Sequence, residues 1–223
     1  MTHSDYLFPD ARLLIFAKAP VAGQVKTRLL PVLSAEQAAA LHRQLVAHTV
    51  STLVASRLAP VVLYASDDHD FWSSFGDGVE LQRQCGGDLG ERMHSAMAEQ
   101  LALTNKVVLI GSDCPFIDGD YLSLALNELS QPLPKLVLGP AADGGYVLIA
   151  GNAITMQVFN GVSWGSERVL AQTLQQIDRL GWSCYCLPVL HDIDRPADLA
   201  LLADFEWCDL AGLGVNPLTS KIK

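Results

Sequence analysis

Positive charge is scarce in this 223-residue sequence: 15 Lys and Arg stand against 24 Asp and Glu, for a net charge of −9. No basic stripe with interleaved aromatics appears, so a general nucleic-acid binder is excluded and a nucleotide held in a local cationic pocket is not. Long apolar runs are also missing. None approaches the ~20 residues that a helix needs to cross a bilayer, so no membrane span is expected. Cysteines number five, at 85, 114, 184, 186 and 208. The odd count, with no signal-peptide pattern at the start, argues against a disulfide framework and points to a reducing cytoplasm. Cys184 and Cys186 have no second pair to close a zinc site and read as strand residues. A Walker A sequence, a G-x-G-x-x-G fingerprint and a convincing Ser/His/Asp arrangement are absent as well.

What is present is apolar: half of the residues are hydrophobic, enough for a large core. Apolar runs alternate with helical patterns. Strands are expected at Leu13–Ala17, Pro60–Ala65, Val79–Gln84, Lys106–Ile110, Leu136–Leu138, Tyr146–Ile149 and Cys184–Val189. Helices are expected at Ala35–Ser56, Asp67–Phe75, Leu89–Leu103, Tyr121–Leu129, Ser166–Leu180 and Pro196–Phe205. Ser34 and Gln37 have capping-box spacing at the first long helix. This order predicts a three-layer α/β/α fold with a mainly parallel sheet, mixed where the strands near 137 and 147 form a local antiparallel pair. One domain over residues 10–210 is expected, with loose ends at 1–9 and 211–223. Ligands of such sheets sit at the carboxyl ends of the strands.

Three polar segments fall at that edge. Lys18-Ala-Pro-Val-Ala-Gly-Gln-Val-Lys-Thr-Arg28 follows the first strand. Three cations in one Pro/Gly loop of an acidic chain suit phosphates, against the plainer reading of a solvated loop. Lys18, Pro20, Gly23, Lys26, Thr27 and Arg28 are its candidate nucleotide-binding residues. Gly87, Asp88, Gly90 and Arg92 form the second segment. There the glycines suit a close approach of base or ribose, while Asp88 and Glu91 also have the spacing of a helix cap. Ser112-Asp-Cys-Pro115 follows the clearest buried strand, and Asp113 there suits a hard divalent cation bridging phosphates or a simple turn cap. Cys114 lacks an assigned base and reads as a buried small residue rather than a nucleophile. Asp143-Gly144-Gly145 reads either as ordinary hairpin chemistry or as an acceptor-side loop. Asp192 and Asp194 read as caps of the final helix or as a second metal carboxylate.

Taken together, F-A-K-A-P-V-A-G-Q-V-K-T-R-L at 16–29, G-D-L-G-E-R-M at 87–93, G-S-D-C-P at 111–115, P-A-A-D-G-G-Y-V-L-I at 140–149 and D-I-D-R-P-A-D-L at 192–199 resemble a known family. It is a domain family of unknown function, a group of transferases associated with radical-SAM and selenium-related domains. It looks like the nucleotide-diphospho-sugar transferase superfamily with the GT-A fold, and is similar to nucleotidyltransferases. The resemblance implies that Lys18, Lys26 and Arg28 surround nucleotide phosphates. It also implies that Asp113 and Asp194 hold Mg²⁺ or Mn²⁺, with Asp113 and Lys26 the catalytic pair. A plain D-x-D motif is missing, because Pro115 stands two residues after Asp113. The expected activity is glycosyl transfer from a nucleotide sugar to a small acceptor. The alternatives are nucleotidyl transfer from a nucleoside triphosphate, releasing pyrophosphate, and nucleotide binding without catalysis.

Overall fold

The hydrophobic pattern is written into both faces of one sheet. The computed structural model describes residues 6–133, 135–210 and 212–213. Seven strands are present: β1 Ala11–Ala17, β2 Val61–Ala65, β3 Val79–Arg83, β4 Lys106–Gly111, β5 Leu136–Pro140, β6 Tyr146–Gly151 and β7 Cys184–Cys186. Their order across the sheet is β3-β2-β1-β4-β6-β5-β7. Strands β1 to β4 pair in parallel, β6 runs antiparallel to both β4 and β5, and β7 is parallel to β5. The helices are α1 Ala35–Ser56, α2 Leu89–Leu101, α3 Gly119–Glu128 and α4 Val169–Arg179. Short 3-10 stretches cover Thr27–Leu29, Asp70–Gly78, Met156–Phe159 and Pro196–Leu202.

Alternate residues of β1 point to opposite faces, and both faces are apolar. Leu13 and Ile15 join Val46, Val50 and Leu53 of α1 and Leu122 and Leu126 of α3. Leu14 and Phe16 join Met93 and Met97 of α2 and Ile177 of α4. The result is the expected three-layer α/β/α fold with a mainly parallel mixed sheet. Helix α1 is buried on a second side as well. Its Leu41 and Leu45 pack with Leu29, Ile193, Leu199 and Leu202, so the chain around 193–202 forms a cover outside α1.

Capping fixes where the helices start. Ser34 Oγ accepts from Gln37 N–H at 3.2 Å and Gln37 Oε1 accepts from Ser34 N–H at 2.7 Å, the reciprocal capping box. Asp88 Oδ1 accepts from Glu91 N–H at 2.9 Å, so the helix-cap reading of Asp88 holds. At the final helix Asp192 and Asp194 are not the caps. Asp198 Oδ2 instead accepts the N–H groups of Arg195 at 2.6 Å and Asp194 at 3.0 Å.

Three elements depart from the sequence reading, the first being the helix expected at Asp67–Phe75, which is a 3-10 stretch over Asp70–Gly78. The last strand stops at Cys186 rather than Val189, because Pro188 has no N–H to offer the ladder. Contact with the sheet resumes at a single bridge between Ala141 and Leu190. The final helix is a 3-10 stretch that ends at Leu202 rather than an α-helix to Phe205. Of the ends expected to be loose, Leu7 and Phe8 donate their N–H groups to Arg57 O and Leu58 O. Residues 1–5, 211 and 214–223 lie outside the described residues.

The β5–β6 turn depends on one glycine. Gly144 has φ +89°, and a Cβ there would lie 2.1 Å from Glu167 O. Its own carbonyl accepts from Leu170 N–H at 3.0 Å, which ties the turn to the start of α4. Gly144→Ala is therefore expected to cost about 3 kcal/mol, from backbone strain and displaced packing together. The midpoint of urea unfolding measures it; an unchanged midpoint would show that the turn yields freely.

Candidate functional site

Three loops meet at the carboxyl edge of β1 and β4. The loop after β1 turns at Lys26, whose φ of 50° lies in the left-handed region where a Cβ is strained. The side chain explains why the turn is held. It is 2% exposed, and its Nζ lies 2.8 Å from Asp113 Oδ1. The same Nζ donates to Ile193 O. Ile193 N–H in turn donates to Asp113 O at 2.8 Å. One buried ammonium thus joins the β1 loop, the turn after β4 and the segment before the last 3-10 stretch.

His42 of α1 closes the cluster. Its Nδ1 is 3.6 Å from Asp113 Oδ1 and its Nε2 is 3.0 Å from Lys18 O. Burial acts to raise the Asp113 carboxyl, but the Lys26 ammonium and His42 outweigh it and hold the group well below the usual carboxylate range. The Asp113 side chain is nevertheless half exposed, while Oδ1 is buried. That leaves Oδ2 as the oxygen open to solvent. Arg28 pairs with Asp194 through Nη1 and Oδ2 at 2.5 Å. Asp192 has no such cation. Burial first, then the charges of Asp143, Asp194 and Asp113, push its carboxyl up to about 6.

Lys18, Lys26, Thr27, Arg28, Arg92, Asp113 and Asp194 line one cavity of about 370 Å³, so the structure brings these predicted residues together. Gln24, His42 and Gln84 line it too, and the sequence reading missed them as site residues. The signal for His42 was a lone polar residue on an apolar helix face. Gln84 donates from Nε2 to Tyr64 O at 2.9 Å and Ala17 O at 3.3 Å, which fixes its amide across the ends of β1 and β2. Among the described residues no acceptor meets the N–H groups of Val25, Lys26, Thr27 or Arg28.

Other predicted residues have structural tasks. Pro20 is buried, and Gly23 turns the loop at φ +76° on its outer side. Gly87 N–H donates to Glu91 Oε2 at 2.7 Å, and Gly87 O accepts from Arg92 at 2.9 Å. A Cβ on Gly90 would meet Phe159 Cβ and Trp164 Cζ2 at 2.8 Å. Gly90 therefore allows α2 to pack closely against the 156–164 segment. Cys114 is buried, and burial pushes its thiol up to about 12, far from a nucleophile. Asp143 and Gly145 line a second cavity of about 250 Å³, which shares Phe16, Arg28, Leu89 and Gly111 with the first. Its walls are mostly apolar. Among the described residues no group of three or more His, Cys, Asp or Glu side chains is gathered to hold a metal. No described helix is long and apolar enough to cross a membrane.

The family profile described as "Uncharacterized protein conserved in bacteria (DUF2064)" matches residues 49–166, just over half of the chain. The chain belongs to that family. A crystal structure of an inferred nucleotide-diphospho-sugar transferase from Desulfovibrio desulfuricans G20 superposes with a TM-score of 0.82 at 31% identity, covering 92% of this chain and 93% of that one. A cytidylyltransferase from Leptospira borgpetersenii gives a TM-score of 0.58 at 15% identity, over 91% and 92%. CMP:2-keto-3-deoxy-manno-octonic acid synthetase complexed with CTP gives 0.56 at 12%, over 86% and 96%. The last two show the fold alone, which is the GT-A-like fold of nucleotide-diphospho-sugar transferases and cytidylyltransferases. These descriptions carry no radical-SAM or selenium association. No curated protein sequence matches the chain.

The paired Asp113 and the unpaired Asp192 carry opposite pH signatures. Lys26→Met leaves Asp113 Oδ1 and Ile193 O without their cation. The expected loss is about 2 kcal/mol, below that of a fully buried pair, because half-exposed Asp113 regains water. The folded Asp113 carboxyl is lowered, so its stabilisation is complete above the ordinary carboxylate pKa of ~4 and is lost as pH falls below it. The stability gap between wild type and Lys26→Met should therefore narrow as acid is added. Asp192 is raised, so its contribution is lost as pH rises through about 6. Asp192→Asn should unfold later than wild type at neutral pH and not in acid. Denaturant melts across pH measure both, and a gap that ignores pH sinks the assignment.

Proposed function

We propose that the protein is a transferase for a nucleotide-activated donor, and that it moves a glycosyl group from a nucleotide sugar to a hydroxyl. The observation that carries this reading is the pairing of two unlike cavities across Gly111. The first gathers Lys18, Arg28 and Arg92 with unclaimed backbone N–H groups at the carboxyl edge of a parallel sheet. That combination suits a diphosphate. The second is mostly apolar, and its one cation, Arg28, is shared with the first cavity. A phosphate acceptor, as nucleotidyl transfer to a phosphate requires, would be desolvated there with little compensation. A hydroxyl acceptor would not. The fold shared with the relative from Desulfovibrio desulfuricans supports a nucleotide-activated donor in general.

In this reading the acceptor oxygen forms a bond to the anomeric carbon. The bond from that carbon to the phosphate oxygen breaks, and the electron pair leaves on the nucleoside diphosphate. Lys18, Arg28 and Arg92 stabilise the leaving charge, where preorganised cations contribute most. Asp143, exposed at the rim of the apolar cavity, takes the hydroxyl proton. Lys26 acts through position: it sets the β1 loop and the Asp113 carboxyl.

The donor set fits a divalent cation. Asp113 leaves Oδ2 open to solvent, and Asp194 lies on the same cavity. Asp113 and Asp194 would hold Mg²⁺ or Mn²⁺, which keeps several waters and needs only one or two carboxylates. Bound there, the ion would add positive charge at the phosphates.

The test compares nucleoside diphosphates with nucleosides, each with and without Mn²⁺. Arg28→Ala and Lys18→Ala should each weaken diphosphate binding on the order of tenfold and leave nucleoside binding nearly unchanged. Equal weakening of both would move the phosphates elsewhere. With a nucleotide sugar, release of nucleoside diphosphate supports glycosyl transfer; pyrophosphate released from a nucleoside triphosphate supports the nucleotidyl alternative. Tight binding without turnover of any donor would leave only a binding protein.

A further inference from the structure

We propose that the apolar cavity is the subsite for the body of the acceptor, and that the acceptor is an alcohol with an aryl or alkyl body. Its hydroxyl lies at the Gly111 edge and its body is sunk between the sheet and α2. The inference rests on the reading of the charged cavity as the phosphate side, and goes further by naming the chemistry of the second substrate.

The walls come first. Phe16, Met93, Leu109, Ile149, Trp164 and Val169 face the second cavity. Met93, Leu109, Ile149 and Val169 are each less than 10% exposed, so the pocket is built from core side chains and not from a mobile surface. The sheet supplies Leu109 and Ile149, while α2 supplies Met93. Trp164 is held by Phe159, with ring centroids 6.1 Å apart. A preformed apolar hollow of this kind binds what water hydrates poorly, and the gain scales with the apolar area covered. A sugar or phosphate acceptor would bring many polar groups to walls that do not answer them.

Polar groups sit at the rim and are few. Ser166 Oγ is engaged, donating to Ser163 O at 2.7 Å and accepting from Arg168 N–H at 3.3 Å. Arg28, Asp143 and Tyr146 remain; the first two are of opposite sign, and the buried Tyr146 hydroxyl lies near Thr173. Asp143 Oδ1 accepts from Gly145 N–H at 2.8 Å, which orients the carboxylate and leaves Oδ2 to accept from a hydroxyl. A carboxylate acceptor with donors beside it matches an O–H group. It does not match an anion, which would want cations in excess.

Gly111 connects this rim to the phosphate side. It ends β4 and lines both cavities. Its backbone is not left-handed, and a Cβ built there would meet no protein atom within 4 Å. Neither the fold nor the packing requires glycine at this point. A glycine in a strand that nothing in the protein explains marks a close approach by a ligand. The space above Gly111 is where the hydroxyl and the transferred group would meet.

The test uses the whole protein, with phenylpropanol and hexanol as probes, glycerol as the polar control, and nucleosides and nucleoside diphosphates titrated separately. Saturation-transfer NMR reads alcohol binding. Both apolar alcohols should bind wild type and glycerol should not. Trp164→Ala should weaken both by about tenfold or more, as loss of an aromatic anchor does, and leave nucleoside diphosphate affinity unchanged. Leu89→Asn guards against a folding defect. Leu89 is 43% exposed at the mouth, so the variant should fold, and it should weaken the alcohols as well. Alcohol binding that ignores both substitutions overturns the proposal, as does glycerol binding that equals hexanol binding. Nucleosides that displace the alcohols, and that bind Trp164→Ala more weakly, overturn it too, by making the cavity a base subsite. Alcohols that bind through Trp164 while no nucleoside diphosphate binds the protein would uphold the cavity's chemistry and remove the transferase reading instead.

Discussion

The Lys26 ammonium is almost sealed from water, and three chain segments close on it. A buried cation without partners would shed its proton or pull water inward. Here Asp113 supplies the counter-charge and Ile193 a carbonyl, so the desolvation is offset at the same point where the loops must meet. The geometry of the site follows. The left-handed turn at Lys26 aims the next residues, Thr27 and Arg28, along the cavity. The hydrogen bond from Ile193 N–H to Asp113 O brings Asp194 to the same edge, although 81 positions separate Asp113 and Asp194. The cover outside α1 is anchored there too, because Ile193 is fully buried between Leu41, Leu45 and Leu199.

Much of this was legible in the sequence, for identifiable reasons. Continuous apolar runs such as Leu13–Ala17 and Val107–Ile110 are buried on both faces, and only a sheet covered on both sides explains them. Ser34, Gln37 and Asp88 set helix starts through local contacts three residues apart, which sequence displays directly. The convergence of the 18–28 and 112–115 segments followed from the parallel-sheet rule. What stayed hidden depended on distant atoms. Lys26 looked like a free phosphate ligand, because nothing local shows that its ammonium is spent on Asp113 and Ile193 O. Gly90 looked like an opening, because its neighbours Phe159 and Trp164 lie some 70 residues away in sequence and meet it only in the folded state. His42 sat in an apolar helix with no local sign of Asp113. The early end of β7 was visible in principle, since Pro188 was there to be read.

Charge in the site is balanced more closely than the −9 net charge of the chain would suggest. Lys26 and Arg28 are each matched by a carboxylate, Asp113 and Asp194. Asp192 is left over and holds its proton to about 6. The two pairs are not equivalent. Lys26 is 2% exposed and its pair is structural, whereas Arg28 is 51% exposed and its pair lies in water, where such pairs contribute little. Arg28 is thus the cation that gives up its partner at small cost when a stronger anion, such as a diphosphate, arrives. Its release would leave Asp194 beside Asp192 and Asp113 with one cation fewer. That is the electrostatic reason for a metal ion to accompany the nucleotide in the proposed reaction.

The division of the site into a charged and an apolar cavity has one further consequence. Both are bordered by the start of α2, the first also by His42 of α1, and they touch through Phe16, Leu89, Arg28 and Gly111. Because α2 starts at Leu89, with Asp88 as its cap, the position of that helix sets the width of both cavities at once. Gly90 lets α2 lie directly on Phe159 and Trp164, and Trp164 is a wall of the apolar cavity. The glycine-rich segment 86–90 therefore serves the site by placing α2, and its Leu89 lines both cavities. It fixes the helix that carries Arg92 to the charged cavity and Met93 to the apolar one, and Gly90 in it is constrained by packing.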